Sequence, residues 1–217
     1  MHKYVMVGVQ GCGKGTQAQL LSQDFDLVHI SVGDLFRWNI KNHTKLAARV
    51  KRLIAAGKLV DDSIVHELVS RRLAEHDWRY GFILDGFPRN RAQAEFCMEN
   101  YDVDAVIHIE VPDEIVKERV LARRLCRVCG RDYNLVHHPP QKPGVCDVCE
   151  GNLIQRADDN EKALNDRLHQ YHSETEPVLD MFRKKERVID ADGSKCVLEV
   201  QNQIRRALNL PPRQHDR

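Results

Sequence analysis

The chain has no apolar run that approaches the roughly 20 residues needed to span a bilayer, so no membrane partner is expected. It has almost no net charge. Its 33 basic and 32 acidic residues leave a formal +1, which argues against a large basic face for duplex nucleic acid. It also lacks a disulfide framework. Its seven cysteines are an odd count. Four fall in two Cys-x-x-Cys pairs, while Cys12, Cys97 and Cys196 stand alone. That usage suits a reducing compartment and thiolates that bind metal. Internal repeats and low-complexity tracts are missing. No signal peptide is expected, because Met1-His2-Lys3 leads straight into an apolar strand. The expectation is therefore a cytoplasmic protein. At 217 residues and 42% hydrophobic content, the chain can bury one sizeable core with small subdomains inserted into it. Residues 210–217 are polar and contain two prolines, a composition expected to fray.

The most informative segment is Gly8-Val9-Gln10-Gly11-Cys12-Gly13-Lys14-Gly15-Thr16, directly after the apolar run Tyr4-Val5-Met6-Val7. A buried strand delivers the chain to a turn that only small residues can follow. The turn feeds a helix whose free N–H groups and positive dipole end suit an anion. Lys14 then reaches outer phosphates and Thr16 offers a hydroxyl near a metal. The usual pattern has Ser or Thr straight after the lysine; here Gly15 intervenes. A dinucleotide fingerprint fits less well, since Lys14 would stand where such sites need an uncharged helix start. Cys12 lies inside the loop, where alkylation is expected to reach it.

Short apolar runs recur between helical stretches, at Tyr4–Val9, Leu27–Ile30, Phe82–Asp85, Ala105–Val111 and Arg187–Asp190. Alternating β and α units predict a central parallel five-stranded sheet with helices on both faces. Behind a phosphate loop, that alternation is similar to the three-layer α/β fold of P-loop NTPases, which is the fold expected here. Ligands in such sheets bind beyond the carboxyl ends of the strands, where the phosphate loop, Ser31, Asp85 and Pro112 all fall. Two segments interrupt the alternation. Residues 31–60 form a helical insertion, and residues 124–159 carry the paired cysteines. Residues 1–30, 61–123 and 160–217 make up the core.

Cys126-x-x-Cys129 and Cys146-x-x-Cys149 are separated by sixteen residues. The spacing fits a four-thiolate zinc ribbon with a closed, structural metal site. Tyr133 to Val136 and the Pro139-Pro140 turn suit short antiparallel strands between the knuckles. Arg124, Arg127 and Arg131 are placed to offset the negative charge of such a cluster. His137 and His138 read as surface imidazoles, because four sulfurs already complete a tetrahedron. A nucleic-acid-binding ribbon is disfavoured by the neutral balance.

Asp85-Gly86-Phe87-Pro88-Arg89 follows the third strand. A carboxylate at a strand end beside a phosphate loop commonly holds Mg²⁺ through water. Arg119 and Arg123, four apart after Pro112-Asp113, are expected on one helix face. Asp158-x-x-Glu161 has the form of a capping box. It puts Arg156 just before a helix and Arg167 about three turns in. Arginines 89, 119, 123, 156 and 167 at the ligand edge read as phosphate clamps.

These residues together resemble the adenylate kinase family in its long-lid form, over Lys3 to about Leu208. The likeness is carried by Gly8–Thr16 and by His29-Ile30-Ser31-Val32-Gly33-Asp34 with Arg37. It extends to Gly57-Lys58-Leu59-Val60, to Gly81–Arg89 with Gln93, and to Arg156-Ala157-Asp158-Asp159 with Arg167. The cysteine segment resembles the zinc-bearing version of the family's lid. The resemblance implies reversible phosphoryl transfer from MgATP to AMP, giving two ADP, in a monomer whose partners are small-molecule nucleotides.

It also implies the site. Gly11, Cys12, Gly13, Lys14, Gly15 and Thr16 bind ATP phosphates, and Arg119 lies near the donor adenine. Ser31, Val32, Lys58, Leu59, Val60 and Gly86 line the AMP pocket. Arg37 and Arg89 hold the AMP phosphate, and Gln93 reads its adenine. Arg123, Arg156 and Arg167 neutralise the transferring group, with Arg156 and Arg167 also near AMP. Asp85, with Asp34, orients hydrated Mg²⁺. Asp158 and Asp159 help close the lid. Cys126, Cys129, Cys146 and Cys149 bind structural Zn²⁺.

Three positions depart from the family pattern: Gln10 where proline is common, Val32 where threonine is usual, and Asn90-Arg91-Ala92 in place of Thr-x-Pro. A same-fold kinase with another donor or acceptor base is the nearest alternative. A catalytically idle nucleotide-binding zinc-ribbon protein is the alternative from another class.

Overall fold

A computed structural model of the protein describes residues 2–56, 58–77 and 80–213. Met1, Gly57, Trp78, Arg79 and residues 214–217 lie outside them. Strand β1 (His2–Val7) leads into helix α1 (Lys14–Phe25), then β2 (Val28–Ser31). Helices α2 (Val32–Lys41), α3 (Lys45–Ala55) and α4 (Asp62–Ala74) follow before β3 (Gly81–Asp85). Next come α5 (Arg91–Asn100), β4 (Ala105–Glu110) and α6 (Asp113–Leu121). Three short strands, β5 (Arg123–Cys126), β6 (Asp132–Asn134) and β7 (Leu153–Ile154), form an antiparallel sheet of their own, ordered β6-β5-β7. The chain then winds through α7 (Glu161–Gln170), a π-helical turn (Tyr171–Thr175) and α8 (Glu176–Arg183). It ends with β8 (Val188–Asp192) and α9 (Val197–Ala207).

The main sheet has the five predicted strands, all parallel, in the order β2-β3-β1-β4-β8. Its strands are apolar on both faces because helices cover both. Tyr4, Met6, Ile83 and Ile107 face one core, packed with Ala18 and Leu21 of α1, Val116 and Val120 of α6 and Ile204 of α9. Val5, Val7, Phe82, Leu84 and Val106 face the other, packed with Val65 and Val69 of α4, Cys97 of α5 and Phe182 of α8. The alternation along each strand is the period of two of extended chain.

Several boundaries differ from expectation, each for a local reason. β1 stops at Val7, because Gly8 at φ 151° turns the chain and a Cβ there would lie 2.7 Å from the Ile109 carbonyl oxygen. α6 ends at Leu121, so Arg119 and Arg123 do not share a helix; Arg123 opens β5 opposite Asn134. The helix after Asp158-Asp159 is capped by Asn160, whose side chain accepts from the Ala163 N–H at 3.0 Å. Asp158 is therefore not a cap, and Arg167 sits in the last turn of α7 rather than three turns in. The strands of the cysteine unit flank the knuckles on both sides instead of lying wholly between them.

Candidate active site

The phosphate loop joins β1 to α1. Gly11 and Gly13 both have positive φ, at 90° and 99°, and Gly13 is the N-cap of α1. No side chain caps that helix start, so its first N–H groups remain available to an anion. Lys14 folds back over the loop and donates to the Val9 carbonyl at 3.1 Å. Cys12 is buried beneath it, and burial pushes its thiol pKa up. Its neutral, covered sulfur is a poor target for alkylation, contrary to expectation. Thr16 is exposed on the first turn.

Asp85 ends β3, in register with Met6 and Ser31. It is 7% exposed. Burial opposes its charge, but the His29 ring and the charges of Lys14 and Arg89 outweigh that and hold the carboxyl below its usual value. His29 Nε2 stands 3.5 Å from Asp85 Oδ2. A Cβ at Gly15 would come within 3.4 Å of the same oxygen. An ionised carboxylate thus lies against the start of α1, which is a donor set that suits a hydrated divalent cation.

Beyond Asp85, Gly86 at φ 75° turns the chain, and Arg89 Nε donates to its carbonyl at 2.9 Å. The Arg89 backbone is pinned at both ends: its N–H donates to Gln93 Oε1 at 2.9 Å and its carbonyl accepts from Thr175 Oγ1 at 2.6 Å. Burial, Arg167, Arg37 and Arg156 together press the Arg89 pKa down to about 10, against the pull of Asp85. The guanidinium remains charged at neutral pH. Like charges gathered this closely call for an anion.

Carboxylates answer part of that demand. Asp158 pairs with Arg156 at 2.7 Å and with Arg167 at 2.9 Å. Against its burial, the two arginines hold its carboxyl far below the usual range. Asp159 receives Arg123 Nε at 2.9 Å. Arg167 also donates to Gln10 Oε1 and, at 3.3 Å, to the Ile54 carbonyl of α3. Gln10 Nε2 in turn donates to Asp159 at 3.3 Å. The unusual residue of the phosphate loop is thus bonded to both parts of the segment that follows the cysteine unit. Arg119 is bonded elsewhere, to the Gly193 and Ser194 carbonyls at 2.7 and 3.4 Å. It fixes a loop whose Gly193 packs against Cys12 and Ile109.

A cavity at the carboxyl edge of the sheet is lined by Gln10, Lys14, Leu59, Gly86, Arg89, Arg167, Tyr171 and Thr175. Tyr171 and Thr175 carried no sequence signal; the π-helical turn presents both to the cavity. Tyr171 is oriented by buried His108, whose Nε2 lies 2.8 Å from the phenol oxygen and whose Nδ1 lies 2.8 Å from Asp190. The predicted acceptor residues are split. Val60 and Val32 are buried in the second core, Val32 beside Phe36 on α2, so the Val32 side chain serves packing. Lys58 is exposed. Ser31 Oγ caps α2 by accepting from the Asp34 N–H at 3.3 Å, and Asp34 pairs with Arg37. Gln93 is buried on α5, with Nε2 donating to Asp62 at 2.7 Å.

The four paired cysteines converge. Their sulfurs all lie within 4.8 Å of one another, with Cys126 and Cys149 3.4 Å apart and Cys129 and Cys146 3.6 Å apart. Disulfides are excluded at that separation. Zn–S bonds of about 2.3 Å in a tetrahedron put sulfurs about 3.8 Å apart, so the donor set fits zinc. His137 and His138 are exposed, as expected. Among the described residues, no helix is long and apolar enough to cross a membrane.

A glycine loop on a helix N-terminus, a carboxylate at the neighbouring strand end and a ring of arginines define a phosphoryl-transferring enzyme of the P-loop class, acting on nucleotides. The family model for adenylate kinase matches residues 6–187. Adenylate kinase of Caldicellulosiruptor bescii is 42% identical over 213 residues, covering 96% of this chain and 99% of that protein. Adenylate kinase of Acetivibrio thermocellus is 41% identical over 212 residues, covering 95% and 98%. That of Methanocella arvoryzae is 42% identical over 211 residues, covering 95% of this chain and 98% of that protein. The chain belongs to the adenylate kinase family. The family's reaction is reversible phosphoryl transfer from ATP to AMP, giving two ADP.

Proposed function

We propose that this protein carries a phosphoryl group between MgATP and AMP with the site residues acting as follows. The amides of Gly11 to Thr16 and the Lys14 ammonium hold the donor phosphates. Arg89 and Arg37 hold the acceptor phosphate, and Gln93 meets its base. Arg123, Arg156 and Arg167 spread positive charge over the group in transit. The observation that carries this reading is the gathering of Lys14, Arg89 and Arg167 around one cavity beside ionised Asp85, with the charge of Arg156 also acting on Arg89. Phosphoryl transfer needs alignment and distributed positive charge more than a strong base, and the acceptor phosphate is itself the nucleophile.

Asp85 is the residue suited to orient hydrated Mg²⁺, which when bound with ATP neutralises the phosphates. Asp158 and Asp159 hold the arginines in place, and phosphate oxygens compete with them for the same guanidiniums. Residues 31–60 and 124–159 act as covers that exclude water, without which ATP would be hydrolysed. Arg119 supports the donor side by fixing the loop at Gly193 next to Cys12. The enzyme works as a cytoplasmic monomer.

The test is ADP formation from MgATP with AMP, CMP, UMP, GMP or no acceptor. Rapid ADP production with AMP alone is expected. Transfer to another base would move the specificity and keep the mechanism. No transfer by folded, zinc-replete protein would overturn the reading in favour of a binding protein.

Zinc held by Cys126, Cys129, Cys146 and Cys149 has a structural part. The unit's own buried cluster holds little besides the cysteines and Tyr133, so metal replaces a core there. Cys129→Ser is expected to lower zinc content and the melting temperature, while kcat at low temperature changes less than about threefold. Metal analysis, calorimetry and rates on one preparation check this. Lost activity in a protein that stayed folded and zinc-loaded would contradict it.

A further inference from the structure

Gln93 is buried, and its carboxamide is held on both sides. Its Oε1 accepts the Arg89 backbone N–H at 2.9 Å. Its Nε2 donates to Asp62 Oδ1 at 2.7 Å. The same Asp62 oxygen accepts Asn90 Nδ2 at 2.9 Å, and Asn90 Oδ1 accepts the Gln93 backbone N–H at 2.9 Å. A backbone N–H can only donate and a carboxylate oxygen can only accept. Turning the carboxamide over would face its NH₂ to the Arg89 N–H and its oxygen to Asp62. Both contacts would become repulsive, in a buried place where unpaired polar groups are costly.

That fixed orientation bears on base choice. A carboxamide carries a donor and an acceptor side by side. With one N–H and one lone pair engaged, it keeps one of each. A 6-aminopurine offers an exocyclic N–H donor next to a ring-nitrogen acceptor. A 6-oxopurine offers the reverse, a carbonyl acceptor next to a ring N–H donor. A glutamine free to turn over could match either edge, whereas a locked one matches one.

We infer that Asp62 is a specificity-determining residue: by locking the Gln93 carboxamide it makes the acceptor site choose a 6-aminopurine over a 6-oxopurine nucleotide. The inference rests on the proposed role of Gln93 at the acceptor base. Asp62 touches no substrate; it acts through Gln93 and is a positioning residue. Its place in the first turn of α4, after the N-cap Asp61, also contributes to stability, but that contribution is the same for every acceptor.

The test compares AMP with inosine monophosphate, which has the oxo edge and lacks guanine's extra amino group. MgATP is the donor throughout. In the wild-type protein kcat/KM is expected to favour AMP. Asp62→Ala is expected to narrow that preference by about tenfold or more, through a lower KM for inosine monophosphate and a higher KM for AMP. Asp62→Asn is expected to keep the wild-type ratio, since Asn90 and Gln93 both donate to position 62 and hold its carbonyl oxygen toward them. An unchanged ratio in Asp62→Ala, or a collapse in Asp62→Asn equal to that in Asp62→Ala, would overturn the inference. Gln93→Leu separates the two levels. If it abolishes the AMP preference and Asp62→Ala does not, only the Asp62 inference falls. If it leaves both acceptors unaffected, the role of Gln93 at the base falls first.

Discussion

Lys14→Met yields a folded protein whose phosphoryl transfer is slower by about a thousandfold. The Lys14 ammonium donates to the Val9 carbonyl at 3.1 Å, and its side chain belongs to neither core cluster. Methionine keeps the length and the apolar stem, so the loop loses a charge and little packing. What disappears is the one cation of the loop able to follow the outer phosphates as charge shifts between them. Stopped-flow rates with saturating MgATP and AMP, beside a thermal melt, test the separation. A melting temperature within a few degrees of wild type together with a rate within tenfold would remove Lys14 from the transition state.

Arg89→Ala is expected to cut kcat/KM for AMP by about a hundredfold to a thousandfold. Its KM for AMP should rise well above any change for ATP. The backbone at position 89 is held by Gln93 and Thr175 through main-chain atoms, so its path survives loss of the side chain. The guanidinium itself is under pressure from Arg167, Arg37 and Arg156, and its pKa lies near 10 for that reason and for its burial. Removing it relieves repulsion. Stability should therefore hold or rise while activity collapses. Arg89→Lys should not rescue, because an ammonium cannot grip a phosphate with two parallel N–H bonds. Titration of AMP binding by calorimetry, with melts of all three proteins, distinguishes this from a structural role. A fall in melting temperature proportional to the loss of activity would count against it.

The parts of the molecule legible in its sequence are those dictated locally. Tyr4–Val7, Phe82–Leu84 and Ala105–Ile107 read as buried parallel strands, because both faces are covered and the runs are continuously apolar. The glycines of the phosphate loop and the two cysteine pairs declared themselves by spacing. What was not legible depended on contacts that no local pattern names. Periodicity carried α6 on to Arg123, yet that residue is recruited by Asn134 across a sheet. Asp158 had the spacing of a cap, but two arginines claimed it and Asn160 capped instead. Val32, expected at the acceptor pocket from its position, is also part of the core with Phe36. Gln10 was noted only as an absent proline. Its bonds reach Asp159 and Arg167, 149 and 157 residues away, and no local pattern announces such contacts.

The π-helical turn has a consequence for how this gene can vary. Residues Glu161 to Arg183 wind as one rod, interrupted only by the wider turn at Tyr171–Thr175. Such a turn stores one residue more than an α-helix would need. Below it, α7 presents Arg167 to Asp158; at its two ends, Tyr171 meets His108 and Thr175 meets the Arg89 carbonyl. Loss of one residue from the wide turn would let it close as plain α-helix, and the two halves of the rod would keep nearly their present facing, because the wide turn is what takes up the extra residue. A residue added to α7 or α8 with the turn unchanged would instead rotate what lies beyond it by about 100°, and Arg167 and Thr175 could not then both reach their partners. A change of one in the length of this rod is therefore expected at Tyr171–Thr175 and not in the helices on either side.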